Sequence, residues 1–188
     1  MNKKNRSLNK SLIKNLQMAT TVVVLCLLFT QTLIAATGTV DVATRYQMIE
    51  GFGASGAWYE SWLTSNTERE EIYDLLFDDL GIDIYRIRNT YDYDAVYMNN
   101  TAVIVAEALE RNPDLKIMVS SWSPPTYLKS TGALNSGTLI GGPDDYDYEG
   151  FAQWLYESII AWSSYGVNPD YINIQNEPDW DGNDRCLF

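Results

Sequence analysis

Histidine is absent from this chain of 188 residues. Its absence removes Ser–His–Asp triads, histidine-containing zinc sites and histidine general bases together. Acid–base chemistry is left to carboxylates, lysine, tyrosine or cysteine. Cysteine is nearly missing too, with Cys26 and Cys186 the whole supply. Glycine and proline are not in excess and 46% of the residues are apolar, which argues against a disordered chain. No acidic residue occurs before position 37, where Lys3, Lys4, Arg6, Lys10 and Lys14 stand alone. The net charge of −12 for the whole chain therefore deepens to −17 for the remainder. So acidic a body repels nucleic acid and anionic membrane surfaces, and no nucleic-acid partner is expected. There is also no glycine-rich phosphate loop, because the glycines at 51, 53 and 56 do not open a helix in a dinucleotide-binding unit. No cofactor and no metal are expected.

The basic start leads into an apolar stretch from Met18 to Ile34, densest at Val22–Phe29, and then into Ala35 and Ala36. That order reads as a signal peptide over residues 1–36 with cleavage after Ala36. An uncleaved anchor is the rival reading. The run is near the lower limit for spanning a bilayer and carries several threonines and Gln31. The expectation is a secreted protein, extracellular or periplasmic, with no stable membrane association after cleavage. Cys26 leaves with the signal, so Cys186 is either free or paired outside this sequence.

Residues 39–188 carry no low-complexity linker. Thr39–Val42 and Tyr46–Ile49 read as extended segments. A helix is expected from Thr67, with Ile72, Leu75, Leu76 and Leu80 on one face and Gly81 as its stop. Ile82–Ile87 reads as a strand, Thr101–Leu109 as a helix, and Lys116–Ser121 as the next strand. A loop rich in Pro, Gly and Ser follows over Trp122–Pro143. Tyr148–Tyr165 reads as an amphipathic helix with Phe151, Leu155, Ile159 and Trp162 at helical spacing, and Tyr171–Gln175 as a strand. Strands alternating with helices indicate a parallel α/β sheet. Periodicity alone does not choose between a doubly wound sheet and a barrel. The polar groups cluster just after strand ends, at Arg88 to Asp92, Trp122 to Pro125 and Asn176 to Asp179, and in (β/α)8 barrels that rim carries the site.

The segment INIQNEPDW, Ile172 to Trp180, presents Asn176 and Glu177 at a strand end, where Pro178 cannot continue the ladder. Glycoside cleavage needs a protonated carboxylic acid beside the leaving oxygen and an ionised carboxylate opposite. A glutamate beside an aromatic wall can be desolvated toward that role. The plainer reading of Glu177 is a helix cap. Aromatics make up 13% of the chain, including 6 Trp and 13 Tyr, which suits sugar faces as well as ordinary core packing. The acidic groups Asp144, Asp145, Asp147 and Asp179, Asp181, Asn183, Asp184 lack the EF-hand order and read as turn and helix-start chemistry.

Four blocks in order make the chain resemble glycoside hydrolase family 30: IEGFGASGAW (Ile49–Trp58), GIDIYRIR (Gly81–Arg88), VSSWSPPTYLKSTG (Val119–Gly132) and YGVNPDYINIQNEPDW (Tyr165–Trp180). The resemblance implies a (β/α)8 TIM barrel with a side β-structure that acts on β-linked sugars with retention. This chain would hold only about its first four βα units, over residues 37–188, with an N-terminal strand of the side structure. Carried over, Glu177 is the general acid/base and Asn176 binds the sugar 2-hydroxyl. Arg86 supports the catalytic carboxylates, a role compatible with a structural ion pair. Trp122 and Trp58 are implied as subsite walls, with packing the alternative for Trp58. The role of Arg88 stays open.

A retaining enzyme needs its nucleophile about 5–5.5 Å from the acid/base. In the family that carboxylate lies on the seventh strand, outside this sequence. Asp92, Asp94 and Asp179 are rim carboxylates better explained by loop solvation. The expected substrate is a β-linked oligo- or polysaccharide, xylan or a related plant glycan first. A glucosylceramidase-like β-glucosidase, a non-catalytic glycan-binding module and an inactive fragment are the alternatives. A half barrel alone leaves open edges and an apolar interior, so the 188-residue chain is expected to be inactive unless two copies complete one barrel.

Overall fold

In a computed structural model, residues 38–178, Trp180 and Cys186 are described. The signal expected at 1–36, Cys26, Asp179, Asp181, Asn183 and Asp184 lie outside them. The chain divides into two units, residues 1–47 and residues 48–188. In the first, the Asp41 carboxylate accepts from the Ala43 N–H at 2.9 Å and the Thr44 hydroxyl at 2.7 Å, closing a turn. The extended segments expected at 39–42 and 46–49 form no ladder. Val40, Val42, Tyr46 and Met48 are all exposed, so their alternation finds no sheet to bury it, and the strand of a side β-structure is not formed here.

The second unit carries strands β1 (Gly53–Ser55), β2 (Ile84–Asn89), β3 (Lys116–Ser121) and β4 (Tyr171–Asn173). Its helices are α1 (Glu60–Ser65), α2 (Arg69–Tyr73), α3 (Ala95–Arg111) and α4 (Tyr148–Ser164). The sheet order is β1-β2-β3-β4 and every pairing is parallel. Gly53 lies so close to the Ile84 backbone that a Cβ would collide with it, so the first pairing needs glycine there.

Burial alternates along β2 and β3. Tyr85, Ile87 and Asn89, with Ile117, Val119 and Ser121, are buried toward the helices. They pack with Tyr73, Phe77, Met98, Ile104, Val105, Ala108 and Trp162 in one core. The opposite face carries Ile84, Arg86 and Met118, all partly exposed, around an open hollow of about 290 Å³. A doubly wound sheet would bury both faces under helices, whereas a barrel wall puts its helices on one side. Asn89 ties this layer together: its amide donates to Ser121 Oγ at 3.3 Å and Ser158 Oγ at 3.0 Å, and its carbonyl accepts from Trp162 Nε1 at 3.2 Å.

Two helices depart from their expected form. The expected face of Ile72, Leu75, Leu76 and Leu80 is rotated, since α2 runs into a π-helical turn at Asp74–Asp79. The wider turn buries Tyr73 and Phe77 and leaves Leu75 and Leu80 exposed. Gly81, with φ of 59°, still ends the segment. Helix α3 starts at Ala95, six residues before its expected start, because Asp94 caps it by accepting from the Tyr97 N–H at 2.7 Å. Asp147 caps α4 in the same way through Gly150. The loop after β3 is tethered rather than loose: Lys129 is buried and donates to Ser123 Oγ and the Leu134 carbonyl. Leu128 and Leu139 beside it join Phe151, Trp154, Leu155 and Cys186 in a second apolar cluster. Burial pushes the Cys186 thiol above its ordinary value, which the Lys129 ammonium only partly offsets.

Burial also raises the hydroxyls of Tyr85 and Tyr97 well above their ordinary value of 10. The native state therefore keeps both protons where the unfolded chain releases them. The stabilisation is complete below pH 10 and is lost as pH rises above it, by about 1.4 kcal/mol per pH unit for each tyrosine. Urea midpoints measured from pH 9 to about pH 12 should fall in the upper part of that range, and Tyr85→Phe should shallow the decline.

Candidate active site

The rim beyond the strand ends collects the five residues expected to act. After β4, the Asn176 N–H donates to the Ser121 carbonyl at 2.7 Å, which fixes the strand end against β3. The Gln175 amide secures the same corner from below, donating to the Trp122 carbonyl at 2.8 Å. Glu177 then turns into the left-handed region, with φ of 47°. Its backbone carbonyl takes the Trp180 N–H at 3.0 Å. The Glu177 side chain accepts from the Asn176 amide at 3.4 Å.

Arg86 reaches this pair across the sheet from β2. Its Nη2 donates to Asn176 Oδ1 at 2.5 Å and its Nε donates to Ser120 Oγ at 2.7 Å. With its Oδ1 occupied by Arg86, Asn176 has its amide Nδ2 turned toward Glu177. Burial pulls the Arg86 guanidinium below its ordinary value, and the Glu177 carboxylate pulls it back up. The guanidinium also lies 4.9 Å from the centre of the Trp122 ring.

Trp122 meets Trp58 edge to face, with centroids 6.0 Å apart and planes at 85°. Trp58 is 61% exposed and holds φ of 74°, a left-handed conformation that costs a residue with a Cβ roughly 1–2 kcal/mol. Its backbone N–H donates to Glu60 Oε1 at 3.0 Å. Arg88 lies 4.1 Å over the Trp58 ring and 4.3 Å over the Tyr97 ring, with its Nε 4.0 Å from Glu60 Oε1. Beyond Trp58 opens a cleft of about 420 Å³, bordered by Glu60, Arg88, Thr90, Asp92, Asp94 and Tyr97 among others.

The structure thus brings Arg86, Trp122, Asn176 and Glu177 together and sets Trp58 next to them. Two expectations change. Glu177 is exposed, so the desolvation expected for it is not provided by these four strands. The strand expected at Tyr171–Gln175 ends at Asn173, and Ile172 and Ile174 are 40% and 51% exposed. Asp92 borders the cleft, and Asp94 caps α3. Sequence reasoning missed Glu60, a carboxylate only 6% exposed, and left Arg88 without a role. The Arg-Ile-Arg alternation of β2 did carry a signal, since residues two apart share one face.

Comparison with known proteins agrees with the fold. Residues 67–186, more than half of the chain, match the model of the glycosyl hydrolase family 30 TIM-barrel domain. An endo-1,6-β-D-glucanase of Neurospora crassa is 37% identical over 81 residues, 43% of this chain and 17% of that protein. A glucuronoxylanase of Bacillus subtilis is 29% identical over 153 residues, 80% of this chain and 35% of that protein. The crystal structure of a glycoside hydrolase family 30 subfamily 8 xylanase from Clostridium acetobutylicum superposes with a TM-score of 0.60 at 26% identity, over 78% of this chain and 37% of that one. The four-stranded sheet is therefore part of a (β/α)8 barrel. The chain spans 17% to 37% of the length of these three proteins.

Proposed function

We propose, from the premise that this chain belongs to glycosyl hydrolase family 30, that it supplies the acid/base side of a retaining active site for β-linked glycans. The observation that carries the reading is the Arg86–Asn176–Glu177 chain of hydrogen bonds at the rim of the parallel sheet. In the first step Glu177 gives its proton to the leaving oxygen while a carboxylate on the other side attacks the sugar carbon. In the second it takes a proton from water, which releases the sugar with its configuration retained. Asn176 holds the 2-hydroxyl, and Trp122 and Trp58 offer apolar faces to the ring. No described residue takes the nucleophile's part. The protein acts outside the cell, in keeping with the basic and apolar start of its sequence.

Xylan is the favoured substrate because the glucuronoxylanase relative aligns over most of this chain. The glucanase relative supports β-1,6-glucan as the alternative polysaccharide. A glucosylceramidase-like β-glucosidase is the third reading. The test uses two preparations. The 188-residue chain alone is expected to release no reducing sugar from glucuronoxylan. A protein joining it to the rest of a family barrel is expected to do so with the β-configuration in the first product, read by proton NMR. A first product of α-configuration would sink the retaining mechanism, and turnover of glucosyl lipids alone would move the substrate to the third reading.

A further inference from the structure

We infer that Arg88 and Glu60 are positioning residues that hold Trp58 in its left-handed conformation as the partition between the rim cleft and Glu177. The inference rests on the reading of Trp58 as a sugar-facing wall, and it adds the device that keeps that wall in place. Trp58 needs such a device. Its backbone adopts a conformation that residues with a side chain disfavour, and its ring is 61% exposed.

Two restraints act from one side. Glu60 lies two residues on, at the start of α1, and is almost fully buried. Its Oε1 accepts the Trp58 N–H at 3.0 Å and faces the Arg88 Nε at 4.0 Å. Arg88 is itself gripped. Its guanidinium lies over both the Trp58 and the Tyr97 rings, while its backbone N–H and C=O both bond the Tyr97 hydroxyl, at 3.0 and 2.8 Å. A planar guanidinium can lie against two rings at once, and a lysine ammonium cannot. The cation therefore transmits the fixed position of Tyr97, a core residue packed against Trp162, to the exposed Trp58 ring. Trp58 passes it on to Trp122, which borders Arg86. Arg88 sets its cation against rings rather than in a short ion pair, with its Nε 4.0 Å from Glu60 Oε1. Its part is to place the ring.

The test needs no sugar, so its failure is separate from failure of the glycosidase reading. The 188-residue chain is labelled with 5-fluorotryptophan, and the Trp58, Trp122 and Trp162 resonances are assigned by single Phe replacements. In Arg88→Met and in Glu60→Ala the Trp58 resonance should move to the position of a solvent-exposed tryptophan and sharpen. The Trp122 resonance should shift with it, while Trp162 stays in place. Glu60→Gln keeps an acceptor for the Trp58 N–H and should leave the Trp58 resonance near its parental position. A Trp58 resonance unmoved in both Arg88→Met and Glu60→Ala would overturn the inference. So would displacement of Trp162 in both variants, which would mark a general structural role.

Discussion

Replacing Glu177 with glutamine should lower turnover of natural β-glycans about 10²–10⁴-fold in a barrel that carries this chain, the range expected for one positioned acid/base. The loss should depend on the leaving group. An alkoxide leaving group needs the proton that Glu177 supplies, whereas a nitrophenolate departs without it. Aryl glycosides should therefore keep most of their first-step rate, seen as a burst of nitrophenol followed by slow release of the glycosyl–enzyme. Titration with xylo-oligosaccharides should give an unchanged Kd, because glutamine preserves the shape and the hydrogen-bonding reach of the side chain. Equal loss on both substrate types would point to collapse of the site. Unchanged turnover on xylan would show that Glu177 is not the acid/base.

Arg86→Met should be the next most damaging change, lowering turnover roughly 30- to 1000-fold, equivalent to about 2–4 kcal/mol for two hydrogen bonds to a charged group. Methionine fills similar space but leaves Asn176 Oδ1 and the fully buried Ser120 hydroxyl without their donor. It also takes the cation away from Trp122. Asn176 would then be free to rotate its amide away from Glu177. Arg86→Lys should rescue little, because one ammonium cannot span Ser120 and Asn176 with the guanidinium's planar fork. The signature is loss of kcat with KM nearly constant. A variant that kept kcat and raised KM would make Arg86 a ground-state binding residue instead.

Much of this was legible in local sequence. The strand β3 was bounded as observed at Lys116–Ser121, and α4 differs from expectation by one residue at its end. Both have strong periodicity and clear stops, Gly166 among them. The early start of α3 was written in Asp94, whose capping role was obscured by the polar residues around it. The rotated face of α2 was not legible, because a π-helical turn changes the helical repeat without any glycine or proline to announce it. Asn176 and Glu177 could be read from one strand end. The partners that orient them could not, since Arg86 lies 90 residues away from Asn176 in sequence. The same holds for Arg88, whose role depends on Trp58 and Tyr97 from two other segments.

Strand order in the sheet follows the order of the chain, and each strand pairs with its immediate predecessor. A nascent polypeptide emerging N-terminus first would therefore find its docking edge already present each time a new strand appears. β2, β3 and β4 each dock on a strand already made, while the outer edge of β1 stays open beside the newest one. Assembly can keep pace with elongation, one βα unit at a time. The acid/base corner, which hangs on β4 and borrows its restraints from β2 and β3, is then the last part of this segment to take shape.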